Sequence, residues 1–348
     1  MHIDTLKFYK YKPTQKRQYI GKFCQVPYHM IQIDKDGDVM LCSCEEYMPY
    51  VIGNVYKQSI QDIWLGEIAS RVRQSVYQGH FTYCNWSCSF LHNLLPQPAE
   101  EPAVPLFPTH IKLDFDLSCN LKCPTCRESV IIEKYNKKIN KQIEIFDEIK
   151  QFAMSNPSHV ITLFPLTSGE VFASHSGLNF LKSLIGYSNN NLKIHATTNG
   201  TLIRKNHDLV NQLSNVITNW SVSIDAVTPE TYQKVRGGDW DDLIEGLKII
   251  KNLSPRYFSV NFCIQEKNYH EIEAFADWAQ ELGALVSYQR MSDWGHWNTD
   301  WWKQNNVIDR TRPEFKQVLN SLRSVQNKYP NKIGIDGSIV QYLNKESP

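Results

Sequence analysis

Residues 112–127 read Lys-Leu-Asp-Phe-Asp-Leu-Ser-Cys-Asn-Leu-Lys-Cys-Pro-Thr-Cys-Arg, and this stretch decides the fold. The alternating apolar residues Ile111, Leu113 and Phe115 predict a strand that is buried on at least one side. Three cysteines with the spacing C-x3-C-x2-C follow the strand: Cys119, Cys123 and Cys126. Three thiolates on one loop can bind three irons of a four-iron cluster and leave the fourth open, whereas a tetrahedral zinc site needs a further ligand. The spacing therefore predicts a catalytic iron–sulfur site rather than a purely structural one. For this loop taken alone, an unfinished zinc ribbon is the alternative.

Four polar motifs follow predicted strands. In chain order they are Ser168-Gly169-Glu170, Asn199-Gly200-Thr201, Ser223-Ile224-Asp225 and Arg236-Gly237-Gly238-Asp239. Six strands are predicted, near 110–116, 159–165, 192–198, 217–224, 257–264 and 284–290. Helical patterns alternate with them, which predicts parallel strands whose carboxyl ends gather active-site residues. We therefore expect the motifs and the cysteine loop to share one site.

The cysteine spacing and the four motifs, in this order, resemble the radical S-adenosylmethionine (radical SAM) superfamily. The resemblance implies a (β/α)6 partial barrel and a [4Fe-4S] cluster, bound by the three loop cysteines, whose open iron chelates SAM. One electron then cleaves SAM to a 5′-deoxyadenosyl radical. The residues implied to bind SAM are Ser168, Gly169 and Glu170 at its amino group, and Asn199, Ser223 and Arg236 at its ribose and carboxylate. Ser168 replaces the family's first glycine, and Thr125 replaces the aromatic residue that packs near the adenine.

A second cysteine pattern occupies the first hundred residues. It contains Cys24-x12-Gly37-x4-Cys42, and residues 30–41 read as a hairpin that turns at Asp36-Gly37. The pattern continues with Gly53-Asn54-Val55, Ile63-Trp64 and Cys84-x3-Cys88. This order resembles the SPASM and twitch auxiliary-cluster domains of radical SAM enzymes, although those domains normally follow the barrel. The resemblance implies one auxiliary [4Fe-4S] cluster.

Five cysteines compete for the four ligand positions of this auxiliary cluster. The favoured set is Cys24, Cys42, Cys84 and Cys88, and Cys44 can replace Cys84 without contradicting the sequence. A zinc knuckle that stabilises the domain is the alternative. An iron–sulfur cluster here would stabilise the fold or pass electrons.

The predicted fold class is α/β, with four segments. They are a twitch/SPASM-like domain over 1–95, a proline-rich linker over 96–108, a radical SAM partial barrel over 109–290 and a C-terminal helical extension over 291–348. Five prolines between Pro96 and Pro108 stiffen the linker. The extension begins with an aromatic cluster of Trp294, His296, Trp297, Trp301 and Trp302. These residues either cover an open barrel edge or line a substrate mouth.

Composition and charge exclude several classes of partner. The 348 residues are 42% hydrophobic and 21% charged, as is ordinary for a soluble globular protein. The net charge of +1, without a dominant basic stretch, argues neither for nor against a nucleic-acid partner, and none is expected. No apolar run approaches the roughly 18 residues of a membrane span, and the first residues have no apolar signal core. We therefore expect a cytoplasmic protein without a membrane partner. The nine cysteines are then expected to be metal ligands rather than disulfides.

Three functions agree with these patterns. The first is a radical SAM enzyme that crosslinks, oxidises or epimerises a peptide or protein. The second is the same chemistry on a small molecule such as a sugar, aminosugar or nucleotide, and the third is a non-catalytic iron–sulfur or zinc protein. Either enzyme would need an electron donor such as flavodoxin or ferredoxin. Cys263 on the fifth strand is a candidate hydrogen-atom donor, as in some radical SAM epimerases, with plain packing as its alternative.

Overall fold

The computed structural model describes residues 19–44, 47–85, 88–133, 137–292 and 297–345. The chain divides into two compact units. The first unit comprises Met1–Leu117, Tyr135–Ser168 and Tyr187–Ile194, and the second comprises Ser118–Lys134, Gly169–Gly186 and His195–Pro348. Of the aromatic cluster in the C-terminal extension, Trp294 and His296 lie outside the described residues.

The described residues contain both strands and helices. The strands are β1 (Lys22–Phe23), β2 (Met30–Ile33), β3 (Asp38–Met40), β4 (Gly53–Asn54), β5 (Leu95–Pro96), β6 (His110–Leu113), β7 (Ile161–Phe164), β8 (Leu192–Thr198), β9 (Ile217–Ser223), β10 (Tyr257–Ile264), β11 (Leu285–Arg290) and β12 (Ile333–Ile335). The α-helices are α1 (Ile60–Leu65), α2 (Glu67–Tyr77), α3 (Lys137–Ser155), α4 (His175–Ser183), α5 (His207–Gln212), α6 (Pro229–Val235), α7 (Trp240–Asn252), α8 (Ile272–Leu282), α9 (Thr299–Asn305), α10 (Phe315–Lys328) and α11 (Gly337–Lys345). The predicted α/β class and its alternation of six strands with helices are confirmed. Within the described part of the chain, no helix is both long enough and apolar enough to cross a membrane.

The strands of the first unit lie in the order β4-β3-β2-β6-β7, followed by residues 192–194 of β8. The predicted hairpin is confirmed, because β2 and β3 pair antiparallel and Gly37 has a φ of +81° in the turn. β2 also pairs in parallel with β6, which places Ile31 beside Ile111. The cysteine-rich N-terminal segment therefore extends the sheet at the strand that precedes the cysteine loop.

The proline-rich segment between β5 and β6 contains no helix or strand and is fastened to the first unit. β5 pairs with β1. Farther along, Trp64 Nε1 donates to the Pro105 carbonyl at 2.7 Å, and the Tyr77 hydroxyl donates to the Ala99 carbonyl at 3.1 Å. Proline removes backbone donors, so side chains from α1 and α2 satisfy the carbonyls of this segment instead.

In the second unit the strand order is β8 (residues 195–198)-β9-β10-β11-β12. The pairs β9–β10, β10–β11 and β11–β12 are parallel. One face of these strands is apolar and buried, with Trp220, Val222, Phe258, Val260, Phe262, Val286 and Tyr288. The helices cover this face, and the rings of Phe262 on β10 and Phe275 on α8 lie 4.8 Å apart between centroids. The opposite face is polar and carries part of the site.

Two elements of the second unit differ from the sequence prediction. The helical pattern between the predicted strands 217–224 and 257–264 is divided into α6 and α7. Gly237 has a φ of +70°, and Asp239 caps α7 by accepting from the Asp242 backbone N–H at 2.8 Å. In the C-terminal extension, where only helices were expected, β12 adds a strand parallel to β11.

Helix α7 approaches the backbone that follows β8 very closely. A Cβ atom at Gly246 would lie 2.3 Å from the Gly200 carbonyl oxygen. We expect Gly246→Ala to displace this backbone and to lower the free energy of unfolding by about 1–3 kcal/mol, the usual cost of overpacking. Urea unfolding measures the change. Gly334→Ala is the control, since a Cβ there meets nothing nearer than 3.4 Å, and equal losses in the two variants would contradict the prediction.

Candidate active site

The cysteine loop is held by hydrogen bonds of its own backbone. The N–H of Cys119 donates to the Ile131 carbonyl at 2.7 Å, and the N–H groups of Cys126 and Arg127 donate to the Cys123 carbonyl at 2.8 and 3.1 Å. The thiol of Cys123 is buried, that of Cys119 half-buried and that of Cys126 exposed. All nine cysteines of the chain lie in described residues, and the three loop cysteines are free thiols.

Nitrogen donors point at two of the three sulfurs of the loop. The Leu121 backbone N–H lies 3.5 Å from Cys119 Sγ, and Arg127 Nε lies 3.4 Å from Cys126 Sγ. Burial raises the pKa of Cys119 and of Cys123. The positive charge of Arg236 opposes that rise at both thiols. Free thiols with donors and cations around them are suited to bind metal as thiolates.

The loop thiols do not form a compact single-metal site. Among the residues that the structure describes, no three His, Cys, Asp or Glu side chains are close enough together to hold one metal ion. Zinc would draw its thiolate ligands to about 2.3 Å, whereas the ligands of a four-iron cluster each bind a different iron. Three thiols on one loop with N–H···S donors suit the thiolate ligation of an iron–sulfur cluster.

Glu170 is buried, and its carboxylate accepts hydrogen bonds from three residues. Thr198 Oγ1 lies 2.9 Å from both carboxylate oxygens, and the Asn199 and Phe172 backbone N–H groups donate to them at 2.7 and 3.2 Å. The Glu170 backbone N–H donates to the Ser118 carbonyl at 2.7 Å. Burial raises the pKa of Glu170, and the three donors oppose the rise. Glu170 thus contacts the end of β8 through its carboxylate and the start of the cysteine loop through its backbone N–H.

The Asn199 side chain lies against the cysteine loop. Its Nδ2 donates to Asn120 Oδ1 at 2.9 Å and lies 3.8 Å from Cys119 Sγ. Its Oδ1 accepts from the Thr201 backbone N–H at 3.0 Å and from the Thr201 hydroxyl at 2.7 Å. Asn120 Nδ2 closes the ring by donating to the same hydroxyl at 2.9 Å. Asn199 is therefore fixed beside the first loop cysteine.

Asp225 and Arg236 form a buried ion pair at the end of β9. Arg236 Nη1 donates to Asp225 Oδ2 at 2.9 Å, and the two side chains are 14% and 3% exposed, respectively. Burial alone would lower the pKa of Arg236, but the negative charges of Cys123 and Asp225 outweigh it and raise that pKa. Asp225 has a φ of +64°, an unusual conformation for a residue other than glycine. The surrounding contacts must therefore hold this backbone in place.

Those contacts come from β10 and the turn after it. The Cys263 backbone N–H donates to Asp225 Oδ1 at 2.6 Å. Asn268 is fully buried, and its Nδ2 donates to the carbonyls of Asp225 and Cys263, at 2.9 Å each. The half-buried Cys263 thiol has a pKa raised by burial and by the charge of Asp225. Cys263 therefore keeps its S–H hydrogen at neutral pH.

The second unit brings most of the predicted site residues together. Hydrogen bonds connect Cys119, Glu170 and Asn199 in one network, and Cys263 and Arg236 through Asp225 in another. Ser223 lies two residues before Asp225 in the chain, and it pairs with Asn261 on β10. Gly169 directly precedes Glu170 in this unit, whereas Ser168 falls in the first unit.

Sequence reasoning assigned no role to three residues that organise the site: Asn120, Thr198 and Asn268. Asn120 and Thr198 are direct neighbours of Cys119 and Asn199, so adjacency to the predicted residues was a usable signal. Asn268 lies in the turn between β10 and α8, where nothing in the sequence marks it.

The polar face of the second unit carries hydrogen-bonding side chains in rows across the strands. His195 Nε2, Ser221 Oγ and Ser259 Oγ form one chain, with 2.8 Å at each step. In the next row Ser223 pairs with Asn261, and Asn261 pairs with Ser287. Cys263 lies one step farther along β10 on the same face. This face is suited to bind a substrate that offers hydrogen-bonding groups.

The five N-terminal cysteines all lie in the first unit. Cys42, Cys84 and Cys88 are buried, and Cys24 and Cys44 are half-buried. Burial raises the pKa of Cys42 to about 12, and the charges of Cys88 and Cys24 add to the rise. Burial raises the pKa of Cys88 to about 11, with further contributions from Cys24 and Cys44. Backbone N–H groups lower both values, so this group too combines neighbouring thiols with amide donors.

Two protein-family models match the chain. A model described as the radical SAM superfamily matches residues 117–279, which include the cysteine loop and the motifs at the strand ends. A model named SPASM, described as an iron–sulfur cluster-binding domain, matches residues 24–89. The second match covers all five N-terminal cysteines.

Known proteins resemble parts of the chain. The antilisterial bacteriocin subtilosin biosynthesis protein AlbA of Bacillus subtilis is 30% identical over 196 residues, 54% of this chain and 41% of the relative. The probable GTP 3′,8-cyclase of Methanococcus vannielii is 23% identical over 178 residues, 50% of this chain and 56% of the relative. The matches thus span about half the length of these relatives. Streptococcus suis SuiB bound to S-adenosylmethionine superposes with a TM-score of 0.48 and 18% identity over 77% of this chain and 55% of that one.

Proposed function

Because the chain belongs to the radical SAM superfamily and carries an N-terminal SPASM domain, we propose that it abstracts hydrogen from a peptide substrate. The two domains imply SAM and [4Fe-4S] clusters, one of them auxiliary. The observation that carries the proposal is the hydrogen-bonded connection of the cysteine loop to Glu170 and Asn199 within one unit. A cluster that only stabilised the fold would not require the buried carboxylate of Glu170, held by three hydrogen-bond donors, beside its binding loop.

In this proposal Cys119, Cys123 and Cys126 hold the catalytic cluster. A cluster held by these three thiolates would supply the electron for reductive cleavage of SAM, which would lead to hydrogen abstraction from the substrate. The chain's own contribution is to orient the reactants and to exclude water from them. Asn199 holds Cys119 in position, and the buried charge of Arg236 compensates the charge of Cys123.

The proposed SAM site uses both hydrogen-bond networks. Glu170, with Gly169, places a carboxylate and backbone groups beside the SAM ammonium group. Ser223 and Arg236 face the ribose and carboxylate. Arg236 Nε is buried and has no hydrogen-bond partner among the described residues, so it retains a donor for an anionic group. Asn199 follows β8 and lies against the cysteine loop, where it is a further candidate for the ribose and carboxylate of SAM. Ser168 directly precedes Gly169 in the chain.

We further propose that Cys263 is the residue that returns a hydrogen atom to a substrate radical. The transfer leaves a thiyl radical on Cys263, and one electron from the proposed flavodoxin- or ferredoxin-type donor, together with one proton, restores the thiol. Its thiol stays protonated because burial and Asp225 raise its pKa, and only the S–H form carries a hydrogen atom to give. Asp225 and Asn268 fix its backbone from both sides. Asn261, on the same face, would hold a polar group of the substrate near this thiol.

Two observations support a peptide as the substrate: the SPASM domain and the 30% identity to a bacteriocin-biosynthesis protein. The reaction would be a crosslink, an oxidation or an epimerisation. A second candidate substrate is a nucleotide or another polar small molecule, since probable GTP 3′,8-cyclases match a similar share of the chain. The rows of hydroxyl and amide groups on the second unit suit either substrate.

We also propose an auxiliary cluster at the N-terminal cysteines. Its ligands would be Cys24, Cys42, Cys88 and either Cys84 or Cys44. The proposed domains are 1–95 for this cluster, 96–108 as linker, 109–290 for the barrel and 291–348 as extension. An electron donor of the flavodoxin or ferredoxin kind would serve the enzyme in the cytoplasm.

Isotope transfer tests the choice of substrate. Under anaerobic reducing conditions, we expect deuterium from a candidate substrate peptide, deuterated at its Cα and Cβ positions, to appear in 5′-deoxyadenosine. Ribose-deuterated GTP is the matched second probe. Label from GTP alone would replace the peptide by the nucleotide candidate, and label from neither probe would reject both named substrates.

A further inference from the structure

The third cysteine of the loop has a charged hydrogen-bond donor of its own. Arg127 directly follows Cys126, and its Nε donates to Cys126 Sγ at 3.4 Å. The Arg127 backbone N–H also donates to the Cys123 carbonyl at 3.1 Å, which fixes the residue within the turn of the loop. The backbone and side-chain hydrogen bonds of Arg127 therefore both keep its guanidinium beside this sulfur.

The three loop sulfurs have different surroundings. Cys119 receives the uncharged donors Leu121 N–H and Asn199 Nδ2. Cys123 is buried, within the electrostatic influence of Arg236. Cys126 is the exposed thiol, and it has the charged donor. Hydrogen bonds from ionised donors are roughly twice as strong as neutral ones, so Arg127 has the largest effect where water would otherwise compete most.

We propose that Arg127 is a positioning residue that raises the reduction potential of the catalytic cluster by donating to the Cys126 thiolate. The inference rests on the proposed role of Cys126 as a cluster ligand. Reduction adds one negative charge to the cluster. A positive donor on a ligand sulfur stabilises that extra charge and makes the electron easier to deliver.

The same contact retains the cluster. An exposed thiolate ligand is open to water, which competes for its hydrogen-bonding capacity. A guanidinium that donates to the sulfur provides a charged hydrogen bond in place of water. Arg127 thus compensates for the exposure of Cys126.

Redox titration of the reconstituted full-length protein, followed by electron paramagnetic resonance, tests the inference without a substrate. Arg127→Gln removes the charge and the Nε donor, and Arg127→Lys keeps the charge. Arg204→Gln is the matched control. Arg204 is an exposed arginine of the same unit, paired with Asp242 at 3.5 Å, so its loss changes the net charge equally without a contact to the cluster loop.

We expect Arg127→Gln to shift the potential of the SAM-binding cluster to a more negative value, Arg127→Lys to shift it less, and Arg204→Gln to leave it unchanged. Iron should also leave Arg127→Gln faster than it leaves Arg204→Gln when a chelator is added. A cluster that assembles in Arg127→Lys but not in Arg127→Gln supports the inference as well. Equal potentials in all four proteins would overturn it, whereas a wild-type chain that binds no such cluster would refute the proposed function itself.

Discussion

Replacement of Arg236 by methionine is expected to lower the free energy of unfolding by about 3–5 kcal/mol. The substitution leaves Asp225, which is 3% exposed, without its counter-charge. A buried carboxylate that loses its partner retains its desolvation cost and loses the compensating attraction. Asp225 also holds the Cys263 backbone at 2.6 Å, so the disturbance should reach β10.

Urea unfolding under anaerobic reducing conditions measures the loss. Arg204→Met is the control, because it breaks an exposed pair with Asp242 and should cost about 0–1 kcal/mol. Addition of Asp225→Asn to Arg236→Met should recover part of the stability, since the unpaired charge disappears. If the Arg236 variant loses no more than the Arg204 variant, the ion pair does not have the energetic role assigned here.

The core of the site could be predicted because its residues lie at the ends of regular elements. The alternation at Ile111, Leu113 and Phe115 marks a strand, and the three cysteines follow it at once. Glu170 and Asn199 likewise come just after strands. Period-two apolar patterns locate such strand ends well, and parallel strands bring those ends to one side of the sheet.

Contacts between residues distant in sequence could not be predicted in the same way. Asn268 bonds the carbonyls of Asp225 and Cys263, which lie 43 and 5 residues away. The parallel pairing of β2 with β6 joins segments 80 residues apart, and nothing in either strand specifies that partner. Such pairings depend on how the whole chain packs rather than on a local pattern.

The sequence predicts the ligands of the auxiliary cluster only in part. The sequence favoured Cys84 as a ligand and left Cys44 able to replace it, and both lie in the first unit. Cys88 is within electrostatic influence of Cys24, Cys42 and Cys44. Cys84 is buried, and its backbone N–H donates to the Phe81 carbonyl at 3.0 Å. The choice between the two depends on side-chain geometry around the iron, which spacing does not encode.

The largest expected effect on activity is the loss of SAM cleavage when the three loop cysteines are replaced. The variant that carries Cys119→Ala, Cys123→Ala and Cys126→Ala together has no thiolate left on the loop. Cys263→Ala is the matched control, because it removes a half-buried thiol that we do not assign to the cluster. We expect this control to cleave SAM like the wild-type chain.

The decisive measurement combines iron content with 5′-deoxyadenosine formation after anaerobic reconstitution and reduction with dithionite. The account predicts about eight iron atoms in the wild-type chain, about four in the triple variant, and 5′-deoxyadenosine only from the wild-type chain and Cys263→Ala. Wild-type protein that binds zinc at the loop, or a triple variant that still forms 5′-deoxyadenosine, would contradict it.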